Sequence, residues 1–138
     1  MDISVIIVSY NTAAATVECL KSVEAANGAK EIFVVDNAST DESVQKIRQF
    51  SPDIHLIVNK RNRGFAAANN QVLPLCRGRY IIYLNPDTIV KPDTPEKAVT
   101  FMDGHQNIGL AGAKILNPDG SLQESVSWRY PGEKFTRG

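Results

Sequence analysis

The sequence predicts an α/β fold with an open, doubly wound, mostly parallel sheet and helices on both faces. Strand-like and helix-like segments alternate four times with short connections, the order typical of successive βαβ units. The strand-like segments are nearly continuous apolar runs, as expected of strands buried on both faces. A chain of 138 residues is long enough for one buried core, so we expect residues 1–138 to form a single domain.

The first strands and helix follow from apolar patterning near the N-terminus. Residues 3–8 form a β-branched, almost unbroken apolar run that predicts the first strand. Apolar residues then recur at helical spacing over residues 17–23, and Asn11 or Thr12 is placed to cap that helix. Residues 31–35 form another apolar run, which predicts the second strand.

The middle of the chain repeats the cycle twice. Residues 43–50 have apolar side chains at helical spacing, and residues 54–58 read as the third strand. After a polar and basic loop over residues 59–64, residues 65–76 predict a helix that is kinked or ended near its proline. Residues 80–84 predict the fourth strand.

The last third of the chain is less regular. Residues 94–104 predict another helix, and residues 108–116 predict a fifth strand interrupted by glycines. An Asn-Pro-Asp-Gly turn at residues 117–120 leads to residues 122–126, which we expect to be the hairpin partner of that strand.

The composition excludes several classes of protein. With 15 basic and 15 acidic residues the formal net charge is zero, which argues against a nucleic-acid-binding protein. Cys19 and Cys76 are too few for a disulfide scaffold, and both are predicted to be buried free thiols, which favours a cytoplasmic location. We find neither a signal peptide nor an apolar run of roughly 20 residues. A soluble protein is therefore expected, with peripheral attachment to a membrane left open.

Polar residues collect where the four predicted strands end, at Ser9-Tyr10-Asn11, Asp36-Asn37, residues 59–64 and Asn85-Pro86-Asp87. Ligands of open α/β sheets bind beyond the carboxyl ends of the strands. Acids, amides, an aromatic ring and a basic cluster suit a nucleoside diphosphate bound through a divalent cation. The sequence has no Gly-x-Gly-x-x-Gly fingerprint and no Walker A motif, which argues against a dinucleotide or NTPase site.

Each of these residues also has a structural interpretation. Asp36 can cap the following turn or helix, and Asp87 can be an ordinary turn residue in Asn-Pro-Asp-Thr. Tyr10 can belong to the core. The basic residues of the 59–64 loop can simply be solvated.

Four segments together resemble the family 2 glycosyltransferases, which have the GT-A fold. They are VIIVSYN (residues 5–11), VVDNASTD (34–41), NRGFAAANN (62–70) and LNPDT (84–88). Residues 109–120 are similar to the branch that contains bacterial rhamnosyltransferase-like enzymes. The resemblance covers about residues 3 to 130 and implies the Rossmann-like sheet of a nucleotide-diphospho-sugar transferase.

This resemblance implies a donor site for a UDP- or dTDP-sugar. Asp36 would bind the pyrimidine edge, and Asp87 would be the ligand of Mg²⁺ or Mn²⁺ in the family's Asp-x-Asp element. Asn85 occupies the first position of that element, where many relatives have Asp. The residues that the resemblance places at the nucleotide sugar are Val8, Ser9, Tyr10, Asn11, Asp36, Gly64, Ala68, Asn70, Asn85 and Asp87.

The implied reaction is inverting transfer of a sugar to a hydroxyl of a glycan or lipid-linked acceptor. It requires a general base, which in the family is a carboxylate well downstream of the metal motif. No acid between Asp87 and Gly138 matches that base, so we expect this chain to be the donor-binding half of the enzyme. The alternatives are a module that holds a nucleotide sugar without catalysis and a nucleotidyltransferase. The latter usually has a glycine-rich basic loop after the first strand, which is absent here.

Overall fold

The computed structural model describes residues 1–123, and the chain divides into two compact units, Met1–His105 and Gln106–Gly138. No helix within residues 1–123 has the length and apolar character needed to cross a bilayer. The strands are β1 (Ile3–Ser9), β2 (Lys30–Asp36), β3 (His55–Val58) and β4 (Tyr80–Leu84). The helices are α1 (Ala13–Ala25), α2 (Ser43–Phe50), α3 (Phe65–Asn70) and α4 (Thr94–Gly104), with one 3-10 turn at Leu73–Leu75 after α3.

The four strands form one parallel sheet in the order β3-β2-β1-β4. The chain first adds β2 and β3 on one side of β1 and then crosses over to add β4 on the other side. The strand order therefore reverses at β1, and such a switch point is where open α/β sheets bind ligands. Every residue of β1 is buried, as its unbroken apolar run predicts.

The sheet has an apolar core on each face because successive side chains of a strand point to opposite sides. On one face, Ile7 packs in a cluster with Leu20 of α1 and Ile47 of α2. On the other face, Val8 packs in a cluster with Ala68 of α3. Helices thus cover both faces of a parallel sheet, and the predicted fold class is confirmed.

The helix expected over residues 65–76 is shorter than the sequence indicates. The α-helix ends at Asn70, and a 3-10 turn that contains Pro74 follows it. Proline lacks the N–H that would continue the helical hydrogen bonding, so the segment tightens and ends. Cys76, which follows this turn, is half-buried, so the expectation that both thiols are buried holds only for Cys19.

The fifth strand expected over residues 108–116 is wrong for the part of the chain that the structure describes. Only one isolated antiparallel bridge joins Leu116 to Leu122, across a turn in which Gly120 has a φ of 84°. Leu110 is 83% exposed, and a glycine-interrupted segment without a paired strand has little to hold it extended. Residues 124–126 of the expected hairpin partner lie outside the described residues.

Candidate functional site

The parallel sheet brings the polar strand ends to one edge. In the register of the sheet Ser9 pairs with Asp36, and the backbone N–H of Asn37 donates to the Ser9 carbonyl at 2.8 Å. Leu84 pairs with Ile7, so the segment after β4 starts at the same edge, beside the end of β1. Residues from three separate predicted motifs therefore meet around the switch point of the sheet.

Asp36 is buried at the end of β2, with 0% of its surface exposed. One carboxylate oxygen, Oδ2, accepts a hydrogen bond from the backbone N–H of Ser39 at 2.9 Å, as the turn interpretation predicts. The other oxygen, Oδ1, is also buried and has no hydrogen-bond partner within the described part of the chain. A buried acceptor without a donor costs free energy, so this oxygen is suited to a donor that arrives with a ligand.

The segments after β1 and β2 are joined by hydrogen bonds. Asn11, with a φ of 54°, donates its backbone N–H to the Ser39 hydroxyl at 2.9 Å. Asp41 accepts a hydrogen bond from the first amide of α1, the N–H of Ala13, at 3.2 Å. Thr12, one of the two expected caps, stands at the N-cap position of α1, but its side chain makes no capping hydrogen bond.

The loop after β3 is tied to β2 through the side chain of Asn37, which is only 2% exposed. Its Oδ1 accepts hydrogen bonds from Asn59 Nδ2 at 3.1 Å and from the backbone N–H of Arg63 at 2.9 Å. Its Nδ2 donates to Asn62 Oδ1 at 2.7 Å, and this oxygen also accepts the backbone N–H of Gly64 at 2.8 Å. This amide network was not among the predictions. The asparagines at positions 37, 59 and 62 were the only sign of it in the sequence.

The segment after β4 rests on α1. Asn85 and Asp87 are both exposed there. Beneath them, the Cys19 thiol lies 3.7 Å from the Asn85 carbonyl oxygen, and the Ser22 hydroxyl accepts the backbone N–H of Val90 at 3.0 Å. Helix α1 therefore holds the backbone of this segment, while the polar side chains at its start face solvent.

The donor atoms of this segment suit a hard divalent cation. Asp87 does lie in a turn, as its structural interpretation predicts, because the N–H of Thr88 donates to the Asn85 carbonyl at 3.2 Å. No three His, Cys, Asp or Glu side chains within residues 1–123 are grouped to hold an ion by themselves. One carboxylate at Asp87 and one amide oxygen at Asn85 fit Mg²⁺ or Mn²⁺, which are commonly held by one or two carboxylates together with substrate phosphates and water.

The remaining expected site residues differ in what they present to solvent. Tyr10 is 48% exposed, so its core interpretation is wrong and its ring is accessible at this edge. Gly64, with a φ of 76°, and Asn70 are exposed at the two ends of α3. The side chains of Val8 and Ala68 belong to the core, which leaves them only backbone atoms for a ligand.

The burial of Cys19 leads to a chemical prediction. The pKa of its thiol is raised to about 11, mainly by burial and in smaller part by the nearby Asp87 carboxylate, against the backbone hydrogen bond from Thr88, which lowers it. At pH 8 roughly one such thiol in a thousand is the reactive thiolate. We expect iodoacetamide to label half-buried Cys76 well before Cys19, with peptide mass spectrometry as the measurement. Equal labelling rates in the folded chain would contradict the burial of Cys19 beneath this segment.

Comparison with known proteins identifies the family to which this geometry corresponds. Residues 4–137 match the model of glycosyl transferase family 2. The chain is 32% identical over 116 residues to the succinoglycan biosynthesis protein ExoO of Rhizobium meliloti, covering 83% of this chain and 32% of ExoO. It is 33% identical over 121 residues to the putative glycosyltransferase EpsE of Bacillus subtilis, covering 83% and 43%. The chain thus spans less than half the length of these relatives.

Two solved structures resemble the fold. The Staphylococcus aureus TarS 1–349 structure in complex with UDP-GlcNAc has a TM-score of 0.68 and 27% identity, covering 77% of this chain and 32% of TarS 1–349. The mannosyltransferase PcManGT of Pyrobaculum calidifontis in complex with GDP-Man and Mn²⁺ has a TM-score of 0.72 and 26% identity, covering 85% and 36%.

Proposed function

The chain belongs to glycosyl transferase family 2, and on this premise we propose that it binds the nucleotide sugar donor of an inverting glycosyltransferase. The observation that carries this proposal is the buried Oδ1 of Asp36, which lacks a hydrogen-bond donor within the described residues and lies at the switch point of the sheet. Its partner in the complex is the base of the nucleotide.

A pyrimidine suits this carboxylate. The uracil or thymine ring presents an N3–H that can donate one hydrogen bond to Oδ1, and the exposed Tyr10 ring at the same edge can stack on the base. TarS has been solved with UDP-GlcNAc, whereas PcManGT has been solved with GDP-Man. We propose that this chain resembles TarS in this respect and prefers UDP or dTDP to GDP.

The diphosphate requires a cation, and Asp87 is the residue that we propose as its protein ligand. Asn85 would support it through an amide oxygen or bind hydroxyls of the ribose or sugar. The ion, Mg²⁺ or Mn²⁺, neutralises the diphosphate as it becomes the leaving group. The complex of PcManGT with Mn²⁺ supports this proposal.

The metal assignment predicts a change in the cation dependence of binding. Mn²⁺ is expected to strengthen UDP binding by about tenfold in the wild type and by no more than about twofold in Asp87→Ala, because the only carboxylate ligand is then lost. Isothermal titration with UDP, with and without Mn²⁺, measures the difference.

A matched control is Asp93→Ala, which removes an exposed carboxylate six residues later that is paired with Lys97. This variant should keep the full Mn²⁺ dependence. If Asp87→Ala also keeps it, the assignment of Asp87 as the metal ligand fails.

We extend the proposal to the reaction as follows. A hexosyl group passes from the donor to a hydroxyl of a glycan or lipid-linked acceptor in polysaccharide biosynthesis, on the cytoplasmic side of a membrane to which the protein can attach peripherally. The rhamnosyltransferase-like branch also remains a proposal, supported by the resemblance of residues 109–120 to it. We assign no general base among the residues of this chain.

A second candidate function requires a separate test. It is a module that binds a nucleotide sugar without catalysis, a candidate because no general base is assigned among the residues of this chain. Transfer of radiolabelled sugar from the donor to a model acceptor distinguishes binding alone from catalysis. Binding without transfer supports the donor-binding half, and efficient transfer would show that the chain contains the general base.

A further inference from the structure

The side chain of Asn37 is a buried junction between two strand ends and the loop after β3. Its backbone N–H bonds the end of β1, and its side chain makes three hydrogen bonds to Asn59, Asn62 and Arg63. With 2% of its surface exposed, Asn37 cannot exchange these partners for water without opening the loop.

Two backbone amides determine the orientation of both asparagine side chains in this junction. A backbone N–H can only donate, so the atom of Asn37 that receives the Arg63 N–H must be the oxygen. The same argument makes the atom of Asn62 that receives the Gly64 N–H an oxygen. The remaining contact, at 2.7 Å, must then be a donation from Asn37 Nδ2 to Asn62 Oδ1. Only an amide at position 37 can accept and donate in this arrangement.

We propose that Asn37 is a positioning residue that sets the conformation of the 59–64 loop and so the Gly64 side of the donor site. Without the Asn37 side chain, the Arg63 N–H loses its acceptor, and the Asn62 amide that accepts the Gly64 N–H loses the donor that holds it in place. The consequence for the donor rests on the function proposed above, whereas the consequence for the loop does not.

A single chemical change made at two positions tests the proposal. Asn37→Asp replaces the donor Nδ2 by a charged oxygen that faces Asn62 Oδ1, so the contact becomes repulsive. Asn62→Asp keeps an acceptor for both Asn37 Nδ2 and the Gly64 N–H, and it adds a negative charge to a loop that also contains Lys60 and Arg61. The same Asn-to-Asp substitution is therefore expected to loosen the loop at position 37 and to preserve it at position 62.

Amide hydrogen exchange of Arg63 and Gly64 reports directly on these bonds. In Asn37→Asp the Gly64 amide is expected to exchange about tenfold faster, the amount that corresponds to one lost hydrogen bond, because repulsion from the new carboxylate displaces the Asn62 Oδ1 that accepts it. The Arg63 amide keeps an acceptor, and the β2 amides of Val34 and Val35 keep their protection. Asn62→Asp should leave all four amides protected. Unchanged exchange at Gly64 in Asn37→Asp would overturn the proposal.

If Asn37→Asp does not fold, the variant Asn62→Ala provides a second test. Asn62 is exposed, so its substitution should leave the fold intact. Loss of its Oδ1 should speed exchange of the Gly64 amide, and unchanged exchange there would also overturn the proposal. In the same variant the Kd for UDP with Mn²⁺ is expected to rise about tenfold, and Tm falls because the buried Asn37 Nδ2 loses its acceptor. Asn62→Asp should restore the wild-type Kd.

Faster loop exchange with an unchanged Kd would overturn the role of Asn37 in the donor site. Failure of the proposed function itself has a different signature, because the wild type would then not bind UDP with Mn²⁺ at all.

Discussion

Replacement of Gly78 by alanine is expected to lower the free energy of unfolding by about 3 kcal/mol, the upper range for an overpacked site. A Cβ at this position would lie 2.3 Å from the backbone N of Ser4 and 2.5 Å from the carbonyl C of Ile3. Both atoms belong to β1, which is paired on both sides by β2 and β4 and cannot move without breaking a ladder. Domains of this size have only about 5–15 kcal/mol in total, so the loss is a large fraction.

This effect arises from lack of space and not from backbone conformation, because Gly78 is not among the glycines with positive φ. The turn at Gly78 is also bonded to β1, with its N–H donated to the Ser4 hydroxyl at 2.9 Å. Urea unfolding followed by circular dichroism measures the change. Gly104→Ala is the matched control, since its Cβ would meet nothing within 4 Å at the end of α4. Equal midpoints for the two variants would show that the close approach at Gly78 is wrong.

The fold was predictable from the sequence because its two central strands, β1 and most of β2, are buried on both faces. Such strands leave continuous apolar runs, as at residues 3–8, and a helix between each pair of runs dictates parallel pairing. The strand order around β1 places Asp36 and Asp87 at the same edge, which follows from parallel topology alone. Their identification as candidates required no information about side-chain contacts.

The Asn37 network was not predictable in the same way. Its bonds join residues that are 22 to 26 positions apart, and they depend on the register of β3 against β2 and on the local path of a six-residue loop. Apolar periodicity contains no information about either. The same limit applies to the start of α1, where the first amide is bound by the carboxylate of Asp41 from a loop 28 positions away.

The substitution Asp36→Asn is expected to weaken UDP binding by about tenfold to a hundredfold, the range for loss of a hydrogen bond to a charged group. The free energy of unfolding should stay the same or rise. The asparagine oxygen can still accept the Ser39 N–H, while a neutral amide replaces a buried carboxylate whose Oδ1 has no partner within the described residues. Titration with UDP and Mn²⁺, together with urea unfolding, measures both quantities.

Asp41→Asn is the control for Asp36→Asn, and the opposite result is expected. Hydrogen bonds from Ser43 and Ala13 hold the pKa of the Asp41 carboxyl below its ordinary value, so its charged form stabilises the folded chain. That contribution is present above the ordinary carboxyl pKa and is lost as the pH falls through the folded value. At pH 7 Asp41→Asn should therefore lose stability and keep its affinity for UDP.

Asp36→Asn and Asp41→Asn together distinguish a ligand-binding carboxylate from a structural one. The first should change the affinity for UDP, and the second should change the free energy of unfolding. A residue that only closes a turn loses stability on substitution and keeps the affinity for UDP, because its side chain does not contact the ligand. A residue with a buried carboxylate oxygen that has no donor within the described residues, such as Asp36, is retained at a cost in stability, and its replacement by the amide should affect only binding. If Asp36→Asn destabilises the chain as much as Asp41→Asn does and leaves UDP affinity unchanged, Asp36 is a turn residue and the nucleotide base binds elsewhere.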